Sequence, residues 1–177
     1  MPDHTLLLVD DEPNVLGALK RVFRREPYLL LTACGGEEAL ALLEKEPVSL
    51  ILSDQRMPKM GGLELLKRAK KQWPDTIRIM LTGYTDIQMA MPTIDEVGVY
   101  RFLLKPWNDD DVRMTVERAL HQWDLTSENR NLHTLIRKQG GELKLWKERF
   151  EEKIRERTEH LEQKVKELER PPGCTVG

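Results

Sequence analysis

The chain has 177 residues, of which 40% are hydrophobic, 33% are charged and 6% are aromatic, and its formal net charge is -2. This length fits one domain with an extension, or two small domains. The charge gives no broad basic surface, so we expect no nucleic-acid partner for this chain. The two cysteines, Cys34 and Cys174, lie too far apart in sequence to suggest a disulfide framework, which argues against an oxidising compartment.

The N-terminus and the apolar segments predict a cytoplasmic protein. Residues Met1 to His4 lead directly into a short apolar strand, without the basic segment and long apolar stretch of a signal peptide. No apolar run approaches the length of a membrane span, so we expect no membrane partner.

Short apolar runs alternate with amphipathic segments from residue 5 to about residue 122. The runs predict five strands, at residues 5–9, 28–33, 48–53, 76–81 and 99–103. The amphipathic segments predict helices that begin near Glu12, after Gly36, after Gly62, at about residue 85 and near Asp109. The fourth of these, over about 85–96, contains Pro92, which removes an internal hydrogen bond and predicts a short, irregular or kinked helix.

The regular order of strand and helix predicts an α/β fold, a doubly wound five-stranded parallel sheet with helices on both faces. The strands are continuous apolar runs rather than alternating ones, as expected for strands that are buried on both sides. Right-handed crossovers allow few topologies. We predict the strand order 2-1-3-4-5, which places the first and third strands side by side at the centre.

The segment after about residue 123 has nearly balanced charges and no proline before Pro171, which predicts a long α-helical coiled coil. Apolar residues, with a few uncharged polar ones, recur at alternating spacings of four and three, the repeat of a coiled-coil seam. These positions are Leu125, Asn129, Leu132, Ile136, Gln139, Leu143, Trp146 and Phe150, and then Ile154, Thr158, Leu161, Val165 and Leu168.

Two features predict local irregularity in this coil. The seam slips by one residue between Phe150 and Ile154, which perturbs the supercoil. Gly140 and Gly141 together cost a helix about 2 kcal/mol, so we expect a bend or a break there. The predicted division is a domain at 1–122, a coiled coil at 123–170 and a flexible tail at 171–177.

Charges beside the seam predict the orientation of the coil. Parallel pairing sets opposite charges against each other, whereas antiparallel pairing sets like charges together. The pairs that attract in the parallel arrangement are Glu142 with Lys147, Arg157 with Glu162, and Lys164 with Glu169. Asn129 at an a position favours two strands in register, so we predict a parallel homodimer through residues 123–170.

Acidic side chains follow the first and third strands at the point where each strand ends. Asp10 and Asp11 follow the first apolar run, and Asp54 follows the third. Because neighbouring parallel strands end at the same edge of a sheet, we expect the three carboxylates to meet. A hard cation that prefers oxygen ligands would relieve their repulsion, and Mg²⁺ fits this role. Asp10, Asp11 and Asp54 are therefore candidate metal ligands.

The same edge carries groups suited to phosphoryl transfer. Asp54 is the candidate nucleophile, alone at the end of its strand. Thr82 follows the fourth run and can donate its hydroxyl, with the amide of Gly83 beside it, to a phosphoryl oxygen. Lys105 follows the fifth run and supplies a compact positive charge. A cis bond is expected between Lys105 and Pro106, since the cis form of such bonds is only slightly disfavoured.

Residues 4 to about 122 resemble the receiver domain of two-component response regulators. Five chemical positions match that family in order and on the expected kinds of element. The matching stretches are Leu8-Val9-Asp10-Asp11-Glu12, Ser53-Asp54-Gln55-Arg56-Met57-Pro58, Met80-Leu81-Thr82-Gly83-Tyr84 and Phe102-Leu103-Leu104-Lys105-Pro106-Trp107.

The resemblance implies a phosphorylation site and a partner. It implies that Asp54 accepts phosphate from a sensor histidine kinase, with Mg²⁺ bound directly by Asp11 and Asp54, through water by Asp10, and by the backbone carbonyl of Arg56. Thr82 and Lys105 would then contact the phosphoryl group.

The resemblance also implies a route for the signal. Phe102 stands where the family has its switch aromatic, commonly a tyrosine, and it has no hydroxyl group. The motifs are similar to those of receivers joined to cyclic-dinucleotide enzymes or other large effectors, which implies an output domain outside this chain.

Two other functions are compatible with the residues. A Mg²⁺-dependent phosphatase or phosphotransferase commonly has its nucleophile on the first strand and an acid two residues later. Here Asp54 lies on the third strand, and we identify no general acid or substrate-covering insertion. We therefore expect no enzyme activity beyond self-phosphorylation and dephosphorylation at Asp54. The third function is a scaffold that only dimerises through its coil.

Overall fold

The computed structural model describes residues 4–84, residue 86 and residues 97–168. The strands are β1 (His4–Val9), β2 (Tyr28–Ala33), β3 (Leu50–Asp54), β4 (Ile77–Thr82) and β5 (Arg101–Leu104). The helices are α1 (Pro13–Val22), α2 (Gly36–Leu43), α3 (Gly62–Gln72) and the C-terminal helix (Asp109–Leu168). The strands form one parallel sheet in the order β2-β1-β3-β4-β5, so the predicted doubly wound, flavodoxin-like topology is confirmed.

Alternate residues of each strand point to opposite faces of the sheet, and each face buries its own core. One face packs against α1 and the first part of the C-terminal helix. Its residues include Leu6, Leu8, Leu50, Leu52, Ile79 and Leu81 from the strands and Leu16, Leu19, Val112, Val116 and Ala119 from the helices. The other face packs against α2 and α3, through Leu7, Val9, Ile51 and Met80 with Ala39, Leu43, Leu65, Leu66 and Ala69. Burial on both faces explains why the central strands β1 and β3 are largely apolar.

Local sequence sets where α1 and the C-terminal helix begin. Pro13 occupies the first turn of α1, where its missing N–H leaves no intrahelical bond unmade. At the C-terminal helix, the side-chain oxygen of Asn108 accepts hydrogen bonds from the backbone N–H groups of Asp110 and Asp111, at 2.8 and 3.4 Å. This is an N-cap, and the acidic first turn that follows it complements the positive end of the helix dipole. The predicted start of this helix near Asp109 is confirmed.

The strand limits differ slightly from those predicted. β3 begins at Leu50 rather than at residue 48, because the carbonyl oxygen of Val48 accepts the hydroxyl of Thr76 at 2.9 Å instead of a strand partner. β5 begins at Arg101 rather than at residue 99. The predicted irregular helix at 85–96, except for residue 86, and the predicted tail at 171–177 lie outside the described residues.

The C-terminal helix runs from Asp109 through Gly140 and Gly141 to Leu168 without interruption. A break at the two glycines is therefore wrong. The loss of about 1 kcal/mol at each glycine is local, and the neighbouring Lys, Gln, Glu and Leu residues favour helix. Every residue from Asn129 to Glu167 is exposed. The chain divides into two units between Glu128 and Asn129, a few residues beyond the predicted limit at 122. Within residues 4–84 and 97–168, none of the helices combines the length and hydropathy needed to cross a membrane.

Gly62 allows the loop after β3 to turn back against the end of that strand. Its backbone N–H donates to the carbonyl oxygen of Gln55 at 3.0 Å. A Cβ atom at position 62 would lie 2.0 Å from the carbonyl oxygen of Asp54, a distance that backbone atoms must move to relieve. The residue therefore has to be glycine for this loop to lie where it does.

Replacing Gly62 with alanine is expected to lower the free energy of unfolding by about 1–3 kcal/mol, because the new methyl group overlaps the β3 backbone. Urea unfolding followed by circular dichroism measures this change. Gly17→Ala is the control, since a Cβ there meets no atom closer than 3.9 Å within helix α1. The control is expected to raise stability by about 1 kcal/mol. Equal effects of the two replacements would contradict the packing described for Gly62.

Candidate functional site

Three carboxylates meet where β1 and β3 end side by side. The strands are paired with Val9 opposite Ser53, so Asp10 and Asp54 emerge next to each other. One carboxylate oxygen from each of Asp10, Asp11 and Asp54 lies within 4.8 Å of the other two. Asp10 is completely buried, Asp54 is 7% exposed and Asp11 is on the surface. The structure thus brings together the three acidic residues that the sequence singled out.

Lys105 neutralises part of this charge. It follows β5, and its Nζ atom lies 2.9 Å from Oδ2 of Asp10 and 2.7 Å from Oδ1 of Asp54. Desolvation opposes the charge of the ammonium, but hydrogen bonds and Coulomb attraction to Asp54 and Asp10 outweigh it and raise the pKa of Lys105 above its usual value. Lys105 therefore remains charged at neutral pH. The Lys105–Pro106 peptide bond that follows is cis, as expected.

Backbone N–H groups hold the two buried carboxylates in place. The N–H of Glu12 donates to Oδ1 of Asp10 at 2.8 Å. The N–H of Arg56 donates to Oδ2 of Asp54 at 2.9 Å. Each carboxylate therefore has one oxygen bonded to the backbone and the other to Lys105, which fixes its orientation. Arg56 contacts Asp54 through its backbone N–H. The role of its backbone carbonyl as a metal ligand stays a prediction.

Thr82 ends β4 at the same edge and is 1% exposed. Its hydroxyl donates a hydrogen bond to the side-chain oxygen of Gln55. The backbone N–H of Lys105 donates to the carbonyl oxygen of Thr82 at 2.9 Å, which links the ends of β4 and β5. Sequence reasoning placed Thr82 correctly at the strand end but missed Gln55. No sequence pattern identifies this partner, since the contact depends on how the loop after β3 turns.

Arg56 and Asp86 form a second contact between the loops that follow β3 and β4. The guanidinium of Arg56 donates to Oδ1 of Asp86. The Arg56 side chain is 71% exposed and that of Asp86 only 9%. The hydrogen bond and attraction to Asp86 raise the pKa of Arg56. Sequence reasoning also missed Asp86, which lies within a segment whose helix was the least regular of those predicted.

The two remaining predicted site residues lie beside this group. Gly83 directly follows Thr82, and its carbonyl oxygen accepts the backbone N–H of Asp86 at 3.1 Å. Phe102 lies on β5 opposite Met80 and packs, partly buried, against the core face that includes Val97. The predicted role of Gly83 as a hydrogen-bond donor to the phosphoryl group and that of Phe102 as a switch aromatic are not visible in these contacts and stay predictions.

The charges at this edge suit a divalent cation. Two like charges about 4 Å apart repel by about 4 kcal/mol at an effective dielectric constant of about 20. Three carboxylates and one ammonium leave two negative charges, which a divalent ion balances. All of the side-chain ligands are oxygen atoms, the type that Mg²⁺ prefers. The residues present therefore fit a magnesium site formed by Asp10, Asp11 and Asp54.

The family profile of the response regulator receiver domain matches residues 6–117, a range that includes all five residues Asp10, Asp11, Asp54, Thr82 and Lys105 of this acidic edge. The chain belongs to the response regulator receiver family. The strand order and the parallel sheet agree with this assignment. Residues beyond 117, including most of the C-terminal helix, lie outside the match.

Relatives of this receiver domain include proteins much longer than the match. The hydrogenase transcriptional regulatory protein HoxA of Cupriavidus necator is 40% identical over 133 residues, which cover 75% of this chain and 27% of HoxA. The chain thus spans about a quarter of that relative. The sporulation initiation phosphotransferase F of Bacillus subtilis is 32% identical over 120 residues, which cover 68% of this chain and 96% of the relative.

A solved structure has the same fold. The signal receiver domain of an HD domain-containing protein from Pseudomonas fluorescens superimposes with a TM-score of 0.68 at 34% identity. The superposition covers 72% of this chain and 94% of that domain. The similarity therefore extends over nearly the whole of the other domain.

Mg²⁺ is expected to stabilise this receiver domain by binding at the acidic edge. At ten times its dissociation constant, an ion that binds only the folded state adds about 1.4 kcal/mol to the free energy of unfolding. The unfolding temperature, measured with and without MgCl₂, reports this effect. Asp11→Asn is expected to abolish the increase, because Asp11 is the exposed carboxylate of the candidate site and its replacement leaves the core unchanged.

Glu64→Gln is the matched control, since Glu64 is an exposed carboxylate on α3 that pairs with Arg68. The control is expected to keep the full stabilisation by Mg²⁺. A similar increase in the Asp11→Asn protein would show that the ion binds elsewhere.

Proposed function

We propose that this receiver accepts a phosphoryl group on Asp54 from the phosphorylated histidine of a sensor kinase. The arrangement of Asp54, Lys105 and the acidic pair supports this proposal more than any other observation. A nucleophilic carboxylate that is oriented by one backbone N–H and one ammonium is ready to attack phosphorus in line. The name of the relative from Bacillus subtilis, a phosphotransferase, agrees with chemistry of this class.

The transfer would exchange one bond to phosphorus for another. An oxygen of Asp54 forms the new P–O bond while the bond between phosphorus and the imidazole nitrogen of the kinase breaks, and that nitrogen keeps the electron pair. The phosphoryl oxygens then need positive charge and hydrogen-bond donors. Nζ of Lys105 lies 2.7 Å from Oδ1 of Asp54, so after the transfer it can contact a phosphoryl oxygen. The hydroxyl of Thr82 and the amide of Gly83 can donate hydrogen bonds to the other phosphoryl oxygens.

Mg²⁺ would be held by Asp10, Asp11 and Asp54, with the backbone carbonyl of Arg56 as a further ligand. It would supply positive charge that offsets the negative charge of the incoming phosphoryl group. Lys105 alone leaves the acidic cluster with two excess negative charges, which would repel a phosphate. For this reason the transfer is expected to need the ion.

Acetyl phosphate is expected to phosphorylate the wild-type chain in the presence of Mg²⁺, and Asp54→Asn is expected to prevent it. The reason is that the amide lacks the nucleophilic oxygen but keeps the shape of the side chain. Intact-mass spectrometry measures one added phosphoryl group per chain. Asp110→Asn, an exposed carboxylate at the start of the C-terminal helix, is the control and is expected to be labelled normally.

Two outcomes would favour the other functions. Sustained hydrolysis of small phosphomonoesters would indicate a phosphatase rather than a single stable phosphorylation. No Mg²⁺-dependent labelling, with unchanged assembly and partner binding in the Asp54→Asn chain, would indicate a scaffold.

We further propose that the C-terminal helix pairs with the same helix of a second copy as a parallel coiled coil. Eight large apolar side chains at seam positions between Asn129 and Glu167 are at least half exposed in the single chain. They are Leu132, Ile136, Leu143, Trp146, Phe150, Ile154, Leu161 and Val165. Burial of a large apolar side chain contributes about 1.5–3 kcal/mol, so pairing along this seam would offset the cost of association.

The coil would pass the state of Asp54 to an output domain of a longer protein. Relatives named as a transcriptional regulator and as an HD domain-containing protein join receivers of this type to further domains. A cyclic-dinucleotide enzyme or another large effector is the class of output that we expect. Phosphorylation would then favour one of two arrangements that already exist in equilibrium. Gly140-Gly141 and the seam slip after Phe150 are the places where two coil packings could exchange.

In a chain that carries Cys34→Ser and Cys174→Ser, Leu132→Cys introduces one cysteine. This chain is expected to form a disulfide-linked dimer on mild oxidation. In a parallel coil in register, Leu132 faces the same residue of the partner, whereas an antiparallel coil places it opposite a distant position. Non-reducing electrophoresis measures the linked fraction. Thr134→Cys, on the outer face of the same helix turn, is the control and is expected to link poorly. Equal linking at both positions would contradict the seam.

A further inference from the structure

The hydroxyl of Thr82 can donate one hydrogen bond, and in this structure it donates that bond to Gln55. The acceptor is the side-chain oxygen of Gln55, and Thr82 itself is 1% exposed. The nearest described alternative is the carbonyl oxygen of Gly83 at 3.3 Å. A hydroxyl can accept two hydrogen bonds but donates only one. Thr82 therefore cannot donate to a phosphoryl oxygen while it donates to Gln55.

Both backbone groups of Gln55, its N–H and its carbonyl oxygen, are hydrogen-bonded, so the position from which its side chain reaches Thr82 is fixed. Its N–H donates to the carbonyl oxygen of Leu81 at 3.0 Å, which continues the pairing of β3 with β4. Its carbonyl oxygen accepts the N–H of Gly62 at 3.0 Å, at the start of α3. Because the backbone is held at both groups, the Gln55 side chain reaches Thr82 from a defined position, without rearrangement of the loop.

We propose that Gln55 is a positioning residue that stabilises the unphosphorylated state by occupying the donor hydroxyl of Thr82. This inference rests on the proposed function of Asp54 and Thr82 in phosphoryl transfer. Phosphorylation has to break the bond between Gln55 and Thr82 before the hydroxyl can turn to the phosphoryl group. Gln55 thus sets part of the free-energy difference between the two states, and a residue without an acceptor would shift the population towards the phosphorylated arrangement.

The nearby pair of Arg56 and Asp86 connects the same two loops but is expected to contribute less. The Arg56 side chain is 71% exposed, so water and salt screen its charge. The hydroxyl of Thr82 is buried, where an unmade hydrogen bond is costly and a made one is retained. The contact of Gln55 with Thr82 is therefore the stronger restraint on the group that would sense the phosphoryl oxygen.

The test is the affinity of the full chain for beryllofluoride, which mimics a phosphoryl group, in the presence of Mg²⁺. Gln55→Met keeps the length of the side chain and removes the strong acceptor. We expect it to bind beryllofluoride about fivefold more tightly than the wild type, the change that loss of one ordinary hydrogen bond from the free state produces. Gln55→Leu provides a second apolar replacement, so that a poorly folded Met variant does not decide the outcome.

A double-mutant cycle separates positioning from a general effect on structure. In a chain that carries Thr82→Val, the donor hydroxyl is absent, and Gln55→Met is expected to leave the affinity unchanged. A purely structural role of Gln55 would alter the unfolding temperature of free protein but would produce no difference between the two Thr82 backgrounds.

The outcomes also separate this inference from the proposed function. A wild-type chain that neither binds beryllofluoride nor is labelled at Asp54 would contradict the proposed function and remove the basis of the inference. A wild-type chain that binds normally, with Gln55→Met and Gln55→Leu binding equally or more weakly, would overturn the inference alone. Weaker binding would indicate that the Gln55 amide contacts the phosphoryl group directly.

Discussion

The contact of one ammonium with two buried carboxylates is the interaction on which this edge of the sheet depends. Nζ of Lys105 lies within 2.9 Å of both Asp10 and Asp54, and the three residues stand at the ends of three different strands. Without Lys105, two negative charges in a region of low dielectric would repel each other by several kcal/mol. The ammonium makes their burial tolerable, yet it leaves the cluster negative enough to attract a divalent ion. The same three side chains therefore combine a stable buried contact with a residual negative charge at the surface of the site.

The surrounding contacts form a connected set that joins Asp54 to the loops after β3 and β4. Asp54 accepts the N–H of Arg56, Thr82 donates to Gln55, and the N–H of Lys105 is bonded to the carbonyl of Thr82. A group added to Asp54 would compete for Lys105 and for the hydroxyl of Thr82 at the same time. Because the hydroxyl of Thr82 has one proton and donates it to Gln55, it cannot also donate to a phosphoryl oxygen, so the loops after β3 and β4 are where we expect structural change to begin.

Periodicity was sufficient to predict the architecture but not the fine contacts. Uniformly apolar strands and amphipathic helices specify a doubly wound sheet, and that topology alone brings Asp10 and Asp54 together. The partners Gln55 and Asp86 could not be predicted, since they depend on side-chain rotamers and on the path of loops. A bend or a break was predicted at Gly140 and Gly141, and the break is wrong for a different reason. Intrinsic propensity is a weak and local term, and the helix formers on either side outweigh it.

The acidic edge belongs to strands near the start of the chain, but the core behind them is completed from much later in the sequence. Leu6 and Leu8 of β1 belong to the same buried cluster as Val112, Val116 and Ala119 of the C-terminal helix. During translation, the first aspartates leave the ribosome long before the segment that secures their strand is made. Contacts between such distant parts of a chain form slowly, because a large loop must close first. A nascent chain stalled before residue 112 would therefore display the acidic motif before the core behind its strands is complete.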